Sequence, residues 1–259
     1  MKTPTIRDLE RECSELLDAA SFKDAAYNGI QVEGSGECSR ILAACTASQR
    51  AIDSAAKAGA DVLLVHHGIM WKGAFAPYEG MVKRRLKSLF DNGITLIAYH
   101  LPLDASMEYG NNAFLAKAIG GAECDWVEPG DPASIGITCT LPRATSARAV
   151  ADLLSRTCGC EVRISGEDLK VRRVGICSGS GSFMLEGRAD FDMLITGDCE
   201  EQGWHEAAER GIALAAMGHD SSEMGGVAAL GQYLAQKHGI ELVTDFYDPM
   251  QDSGIALPE

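Results

Sequence analysis

Short continuous runs of apolar residues alternate along the chain with longer stretches in which apolar residues recur every three or four positions. The continuous runs are typical of buried strands, and the three-to-four spacing is typical of helices with one buried face. Strands are predicted at 28–33, 40–47, 61–65, 94–99, 160–164, 171–177, 191–196, 212–217 and 240–246. Helices are predicted at 5–17, 48–59, 78–92, 111–119, 146–155, 200–210 and 221–238.

The order of these elements favours an α/β fold, because alternating strands and helices form right-handed units around parallel strands. The segment Cys124–Arg143 contains Pro and Gly but has no helical pattern, so it is the expected domain boundary. We therefore expect a first α/β domain at 1–125, completed by a C-terminal strand segment at 240–259, and a second α/β domain at 126–239.

The two halves of the chain repeat one pattern, in which polar residues able to bind metal directly follow an apolar strand. Open α/β sheets place their binding sites at the carboxyl ends of the strands, because the chain leaves a crevice there. The sequence thus predicts two similar α/β domains with a metal site in the crevice between them. The matching pairs of strand and polar segment are DVLLV–HHG, ITLIAY–HLPLD, FDMLIT–GD and IALAAM–GHDSSE.

The composition excludes several classes of protein. The 259 residues are 46% hydrophobic and 23% charged, which is typical of a globular chain. The net charge of −14 disfavours binding to nucleic acid or to an anionic membrane surface. No apolar run is long enough to span a membrane, and the polar N-terminal segment lacks a secretion signal. The nine cysteines contain no CxxC pair, so we expect free thiols in a cytoplasmic protein.

Four of the six histidines directly follow apolar strands, and carboxylates lie near them in the sequence. Neighbouring residues of a strand point to opposite faces, so His66 and His67 need a turn at Gly68 to converge. His219 and Glu223 share a face if a helix begins at His219. Three imidazoles and two carboxylates exceed the needs of a closed zinc site and suit two metal ions bridged by a carboxylate.

Each of these residues also has a purely structural interpretation. The adjacent histidines could be an ordinary loop pair, and His219 with Glu223 could form an ion pair at a helix start. Asp104, expected on a loop, could be a turn or cap residue, and His100 could be a core histidine with satisfied hydrogen bonds. Their occurrence together at matching strand ends favours the metal site.

Five segments of the chain are similar to YbgI-like proteins of the NGG-interacting-factor-three-like family, also called GTP cyclohydrolase I type 2 homologs. These segments are VHHGIMWKG, YHLPLDA, GNNAFLAKAIG, TGDCEEQGWHEA and GHDSSEMGGVAALGQYL. The resemblance covers nearly the whole chain and implies the compact form without a central insert, a toroidal homohexamer and a dinuclear metal centre. The metal ligands that it implies, with Glu223 as the bridging carboxylate, are His66, His67, Asp104, His219 and Glu223.

The resemblance also implies metal-dependent chemistry. Two divalent ions would lower the pKa of a shared water, and zinc, iron, manganese, nickel or cobalt would suit these ligands. His100 or His205 could transfer protons, since imidazole titrates near neutral pH. Asp198 and Asp220 could orient the ligating imidazoles without binding the metal ions themselves. Asp220 departs from the family pattern, in which a second histidine is often present.

We therefore expect a metal-dependent hydrolase whose substrate is a small molecule, either nucleotide-like or otherwise phosphorylated or heterocyclic. The alternative is a non-enzymatic metal-binding or regulatory protein that forms a ring-shaped interaction platform. The segment Gly179–Ser182 could wrap a phosphate with its backbone N–H groups, although a tight structural turn is the favoured interpretation.

Overall fold

The computed structural model describes residues 3–34, 36–74, 77–128, 134–186 and 190–246. The strands are β1 Gly29–Val32, β2 Arg40–Thr46, β3 Val62–His67, β4 Thr95–Ala98, β5 Ala122–Trp126, β6 Ile137–Ser146, β7 Arg163–Ser165, β8 Lys170–Ser180, β9 Met193–Asp198, β10 Ala213–Ala216 and β11 Glu241–Thr244. The helices are α1 Ile6–Leu16, α2 Gln49–Ala58, α3 Gly80–Asp91, α4 Leu101–Ala105, α5 Asn111–Ala118, α6 Ala147–Cys158, α7 Glu201–Arg210 and α8 His219–His238.

The first packing unit comprises the described residues of 3–103 and 227–246 and contains a five-stranded sheet. The strand order is β1-β4-β3-β2-β11, and every pair is parallel except β1 with β4. Leu63 packs on one face with residues of α2 and α3, and Leu64 packs on the other with residues of α1 and α8. Helices therefore cover both faces, which is why the central strands are continuously apolar.

The second packing unit comprises the described residues of 104–226 and contains a six-stranded sheet. The strand order is β5-β6-β8-β9-β10-β7, and the central strands β8, β9 and β10 are parallel. Ile195 packs with residues of α5 and α6, and Leu194 packs with residues of α7 and with Phe191. The expected α/β architecture is confirmed in both units, whereas β5, β6 and β7 differ from the expectation because they are antiparallel to their neighbours.

The chain passes from one packing unit to the other after Leu103 and returns after Gly226. The segment expected as a boundary, Cys124–Arg143, supplies parts of β5 and β6 to the second sheet. Antiparallel neighbours need no helix between them, so this segment shows no helical pattern although it is part of a sheet. The expected division at 1–125, 126–239 and 240–259 therefore differs from these changes of unit, and residues 247–259 lie outside the described part of the chain.

The nine cysteines all lie in the described ranges and form no disulfide, as the sequence predicts. Most of them are buried, and Cys124 is exposed. Burial raises the pKa of the Cys139 thiol to about 12, because the charged thiolate is poorly solvated there. Among the residues described above, no helix combines the length and apolarity needed to cross a bilayer.

Two neighbouring residues of α3 provide a direct test of how this helix packs. Leu89 is fully buried among residues of the first sheet, whereas Phe90 is 63% exposed. Leu89→Ala should lower the free energy of unfolding by about 2–5 kcal/mol, because it removes buried methyl groups and leaves a cavity. Phe90→Ala is the control and should change it by less than about 0.5 kcal/mol. Equal effects of the two variants in urea unfolding would contradict this packing.

Candidate metal centre

His66 and His67 are the last two residues of β3, so the strand extends beyond the point where we expected it to end. Parallel pairing with β2 continues to the end, where His67 lies opposite Thr46. His66 is fully buried and His67 is partly buried, and their ring centroids are 4.6 Å apart. The two imidazoles therefore lie side by side although no turn separates them.

Gly68 is required for space rather than for an unusual backbone angle. A Cβ atom at this position would overlap with the side-chain amide of Gln31. The buried Gln31 accepts hydrogen bonds at Oε1 from the backbone amides of Ile69 and Met70, at 2.7 and 2.9 Å. This amide therefore holds the chain in place directly after the histidine pair.

The imidazoles of the first unit are held through Nδ1. His66 donates from Nδ1 to the backbone carbonyl of Tyr99 at 2.9 Å, and His67 Nδ1 lies 3.2 Å from Oγ1 of Thr46. His100 Nδ1 lies 2.8 Å from a carboxylate oxygen of Asp24. A bond at Nδ1 leaves Nε2 as the nitrogen that can bind a metal ion.

We call His66, His67 and His100 the histidine cluster. Each of the three offers a ligand nitrogen, and these atoms lie within 4.8 Å of one another. A set of imidazoles this close together is suited to zinc, iron, nickel or cobalt. The first unit by itself therefore presents a metal-binding arrangement.

Asp24 contacts the histidine cluster through His100, a contact that the sequence analysis missed. Its burial disfavours ionisation, but hydrogen bonds from His100, the Ala26 amide and Asn28 outweigh this and hold the pKa of the carboxyl well below its usual range. Asp24 precedes β1 in a segment without a clear hydrophobic pattern, and its partner His100 lies 76 positions later. No short-range spacing in the sequence signals such a pair.

Asp104 lies on the short helix α4, although we expected it on a loop. Its buried carboxylate accepts hydrogen bonds at Oδ1 from Nδ2 of Asn111 at 2.8 Å and from the hydroxyl of Ser178 at 2.9 Å. Asn112 is also fully buried and accepts from the backbone amide of Ser178 at 2.7 Å. These buried polar side chains, which the sequence analysis also missed, hold Asp104 in one orientation.

His219 and Glu223 lie on the same face of a helix, because α8 begins at His219. Nε2 of His219 is 3.4 Å from Oε2 of Glu223, and Nδ1 is 2.8 Å from a carboxylate oxygen of Asp198. Burial lowers the pKa of His219, but the charges of Glu223, Asp198 and Asp220 outweigh this and raise it above its ordinary value. Asp198 thus contacts the His219 ring directly, and Asp220 acts on it through its charge.

We call Asp104, His219 and Glu223 the carboxylate cluster. Asp104 and Glu223 are both buried, and each offers a ligand oxygen within 4.8 Å of the other. Two buried carboxylates so close together repel each other and have lost their hydration. A bound cation or a proton offsets this cost in free energy. The second unit therefore presents an arrangement that favours a bound cation.

Two further expectations from the sequence concern His205 and the glycine-rich segment 179–182. His205 lies on α7 with a side chain that is 73% exposed, 3.9 Å from the carboxylate of Glu201. In the glycine-rich segment, the amide of Gly179 donates to Ser222 and that of Gly181 donates to Thr196, at 2.9 and 2.8 Å. Because these N–H groups already have partners, the segment is better explained as a structural turn than as a phosphate loop.

Comparison with known proteins gives one consistent family. The chain matches Duf34/NIF3 (NGG1p interacting factor 3) over residues 4–251. It is 42% identical over 239 residues to the GTP cyclohydrolase 1 type 2 homolog of Pseudomonas aeruginosa, covering 90% of this chain and 93% of that protein. The homolog of the same name from Escherichia coli (strain K12) is 38% identical over 240 residues, or 91% and 95% of the two chains.

A solved structure has the same fold. The structure of protein ybgI, described as of unknown function, superposes with a TM-score of 0.88 at 34% identity, covering 95% of this chain and 99% of that one. With the match over residues 4–251, these findings establish that the chain belongs to the Duf34/NIF3 (NGG1p interacting factor 3) family.

Proposed function

We propose that this protein is a hydrolase that depends on two divalent metal ions and acts on a small molecule, either nucleotide-like or otherwise phosphorylated or heterocyclic. The observation that carries the proposal is the way the potential ligands are held. His66 and His219 each have an acceptor at Nδ1, and Asp104 is held by two donors. Such outer partners fix ring orientation and are typical of metal-binding histidines and carboxylates.

The residues present fit a pair of divalent ions. The proposed ligands are His66 and His67 from the histidine cluster together with all three members of the carboxylate cluster. The set combines neutral imidazole nitrogens with two carboxylates, which matches the preferences of zinc, iron, manganese, nickel and cobalt. Glu223 is the proposed bridging ligand, since its carboxylate can offer one oxygen to each ion.

Bound ions of this kind supply Lewis acidity and lower the pKa of water. The chain's own residues would supply the remaining functions. Asn111 and Ser178 keep Asp104 oriented, and Asp198 keeps the His219 ring oriented. His100 is the proposed proton carrier, because its ring lies 5.0 Å from that of His66 and its side chain is 20% exposed. His205 is a weaker candidate because its exposed side chain lies beside Glu201.

Family membership supports the proposed substrate class and the proposed assembly. Relatives are named GTP cyclohydrolase 1 type 2 homolog, and a nucleotide is therefore the first substrate to test. Assembly as a toroidal homohexamer is implied by the same relationship and is part of the proposal. Sedimentation velocity of the purified protein measures that assembly directly.

A substrate screen tests the proposal. Protein loaded in turn with zinc, manganese, iron, nickel or cobalt is assayed against nucleoside triphosphates, phosphate monoesters and phosphodiesters. We expect turnover with at least one pair of metal and substrate, and a loss of more than about 100-fold in Asp104→Ala. Asp152→Ala changes an exposed carboxylate of the same unit and should keep full turnover. No turnover with any metal, together with a specifically captured protein partner, would instead favour the non-enzymatic alternative.

A further inference from the structure

We propose that Asp24 is a positioning residue of this site, one that holds His100 with its proton on Nδ1 and so makes Nε2 the proton acceptor. This inference rests on the proposed function, because it specifies how His100 performs the proton transfer. Asp24 was not singled out by the sequence patterns, and it is not one of the proposed metal ligands.

The carboxylate of Asp24 is fixed by groups other than His100. Its Oδ1 accepts from the backbone amide of Ala26 at 2.9 Å, and its Oδ2 accepts from the amide of Leu101 at 2.9 Å and from Nδ2 of Asn28 at 3.0 Å. The side chain is fully buried. With three donors in addition to the imidazole, the carboxylate is an acceptor on every side and cannot rotate without breaking hydrogen bonds.

This arrangement determines the state of the His100 ring. Nδ1 lies 2.8 Å from Oδ1 of Asp24, and a carboxylate can only accept there, so Nδ1 carries the proton. The backbone amide of His100 donates to Oδ1 of Asn28 at 2.8 Å, which fixes the chain beside the ring. In the neutral ring, the nitrogen without a proton is therefore Nε2.

The ring also lies where a proton carrier is useful. Its centroid is 5.0 Å from that of His66, 5.6 Å from that of His67 and 5.1 Å from that of Trp71, which meets it edge-on. A histidine whose Nδ1 is held by a buried carboxylate has a defined orientation and a defined acceptor nitrogen. In a general acid–base role, such a group is worth about 10²–10⁴ in rate.

Nitrogen NMR of the metal-free protein tests the proposal without any assay of turnover. The histidines are labelled with ¹⁵N, and the His100 signals are assigned by their disappearance in His100→Gln. At a pH where the ring is neutral, we expect the wild-type protein to show a protonated Nδ1 and an unprotonated Nε2. Asp24→Asn should shift His100 toward the other tautomer, because an amide group can donate as well as accept.

A matched control distinguishes loss of the contact between Asp24 and His100 from loss of a carboxylate elsewhere in the same unit. Asp61 in the same unit instead accepts from the amides of Ser39 and Arg40, at 2.7 and 3.0 Å. Asp61→Asn should leave the His100 tautomer unchanged. In metal-loaded protein with a substrate from the screen, Asp24→Asn should lower kcat by at least about tenfold at unchanged KM and metal content.

Three results would overturn the proposal. The first is a wild-type His100 that is protonated at Nε2, which needs no variant and so does not depend on the folding of Asp24→Asn. The second is an unchanged tautomer and kcat in Asp24→Asn. The third is loss of a metal ion in that variant, which would make His100 a ligand rather than a proton acceptor. The tautomer is measured in metal-free protein, so it tests the role of Asp24 even if the proposed hydrolase function is wrong.

Discussion

Glu223→Gln is expected to abolish binding of the metal pair and any hydrolysis that depends on it. The substitution keeps the size of this buried side chain but removes its negative charge and one of its acceptor oxygens. Loss of a partner outside the ligand shell already costs about 10–100-fold in metal affinity, so loss of a bridging ligand should cost more than about 100-fold. Elemental analysis of the purified variant, reported as metal ions per chain, measures this directly. Glu223→Ala should give the same result.

The control is Glu201→Gln, which changes a glutamate on α7 whose side chain is 90% exposed. This variant should bind as much metal as the wild-type protein. Circular dichroism of both variants establishes that they are folded. A folded Glu223→Gln protein with wild-type metal content would contradict the bridging role of Glu223.

Gly179→Ala should reduce metal affinity through Glu223, although residue 179 offers no ligand atom of its own. A Cβ atom at this position would overlap with Oε1 of Glu223 and would lie 3.3 Å from Cε1 of His219. The backbone angle φ of +61° adds strain of roughly 1–2 kcal/mol for any residue with a side chain. We expect at least about a tenfold weaker metal affinity in a competition titration, together with lower thermal stability.

Gly211→Ala separates the two effects of that substitution. Gly211 also has a positive φ, +68°, but among the described residues no atom beyond its own backbone and its chain neighbours lies within 4 Å of the position that a Cβ would take. This variant should therefore show the backbone strain alone, with a similar loss of stability and an unchanged metal affinity. Equal metal affinities for the two variants would show that Gly179 does not position Glu223.

Strands and long helices could be predicted from the sequence because their burial imposes a clear periodicity. The central strands of both sheets are continuously apolar, and α1 and α6 each show one apolar face. The short helix α4 was missed, since five residues are too few to establish a helical pattern. The predicted strand ended at Val65, because the prediction followed the apolar run and the last two residues of β3 are polar histidines.

The candidate site could be predicted only in part, for a related reason. His66, His67 and His219 were identifiable because histidine is rare in this chain and these residues come at strand ends. The groups that orient the ligands are ordinary aspartates, asparagines and serines, which occur throughout the sequence. Ser178 lies 74 positions from Asp104 and contacts it only because the sheet of the second unit brings them together. Tertiary structure alone reveals such partners.

Elemental analysis of wild-type protein, purified without a chelator, tests the central claim most directly. The proposed ligand set predicts two divalent ions per chain, or an uptake of two ions when zinc, manganese, iron, cobalt or nickel is supplied. A folded protein that contains no metal and binds none of these ions would contradict the proposed dinuclear centre and the hydrolase function that depends on it.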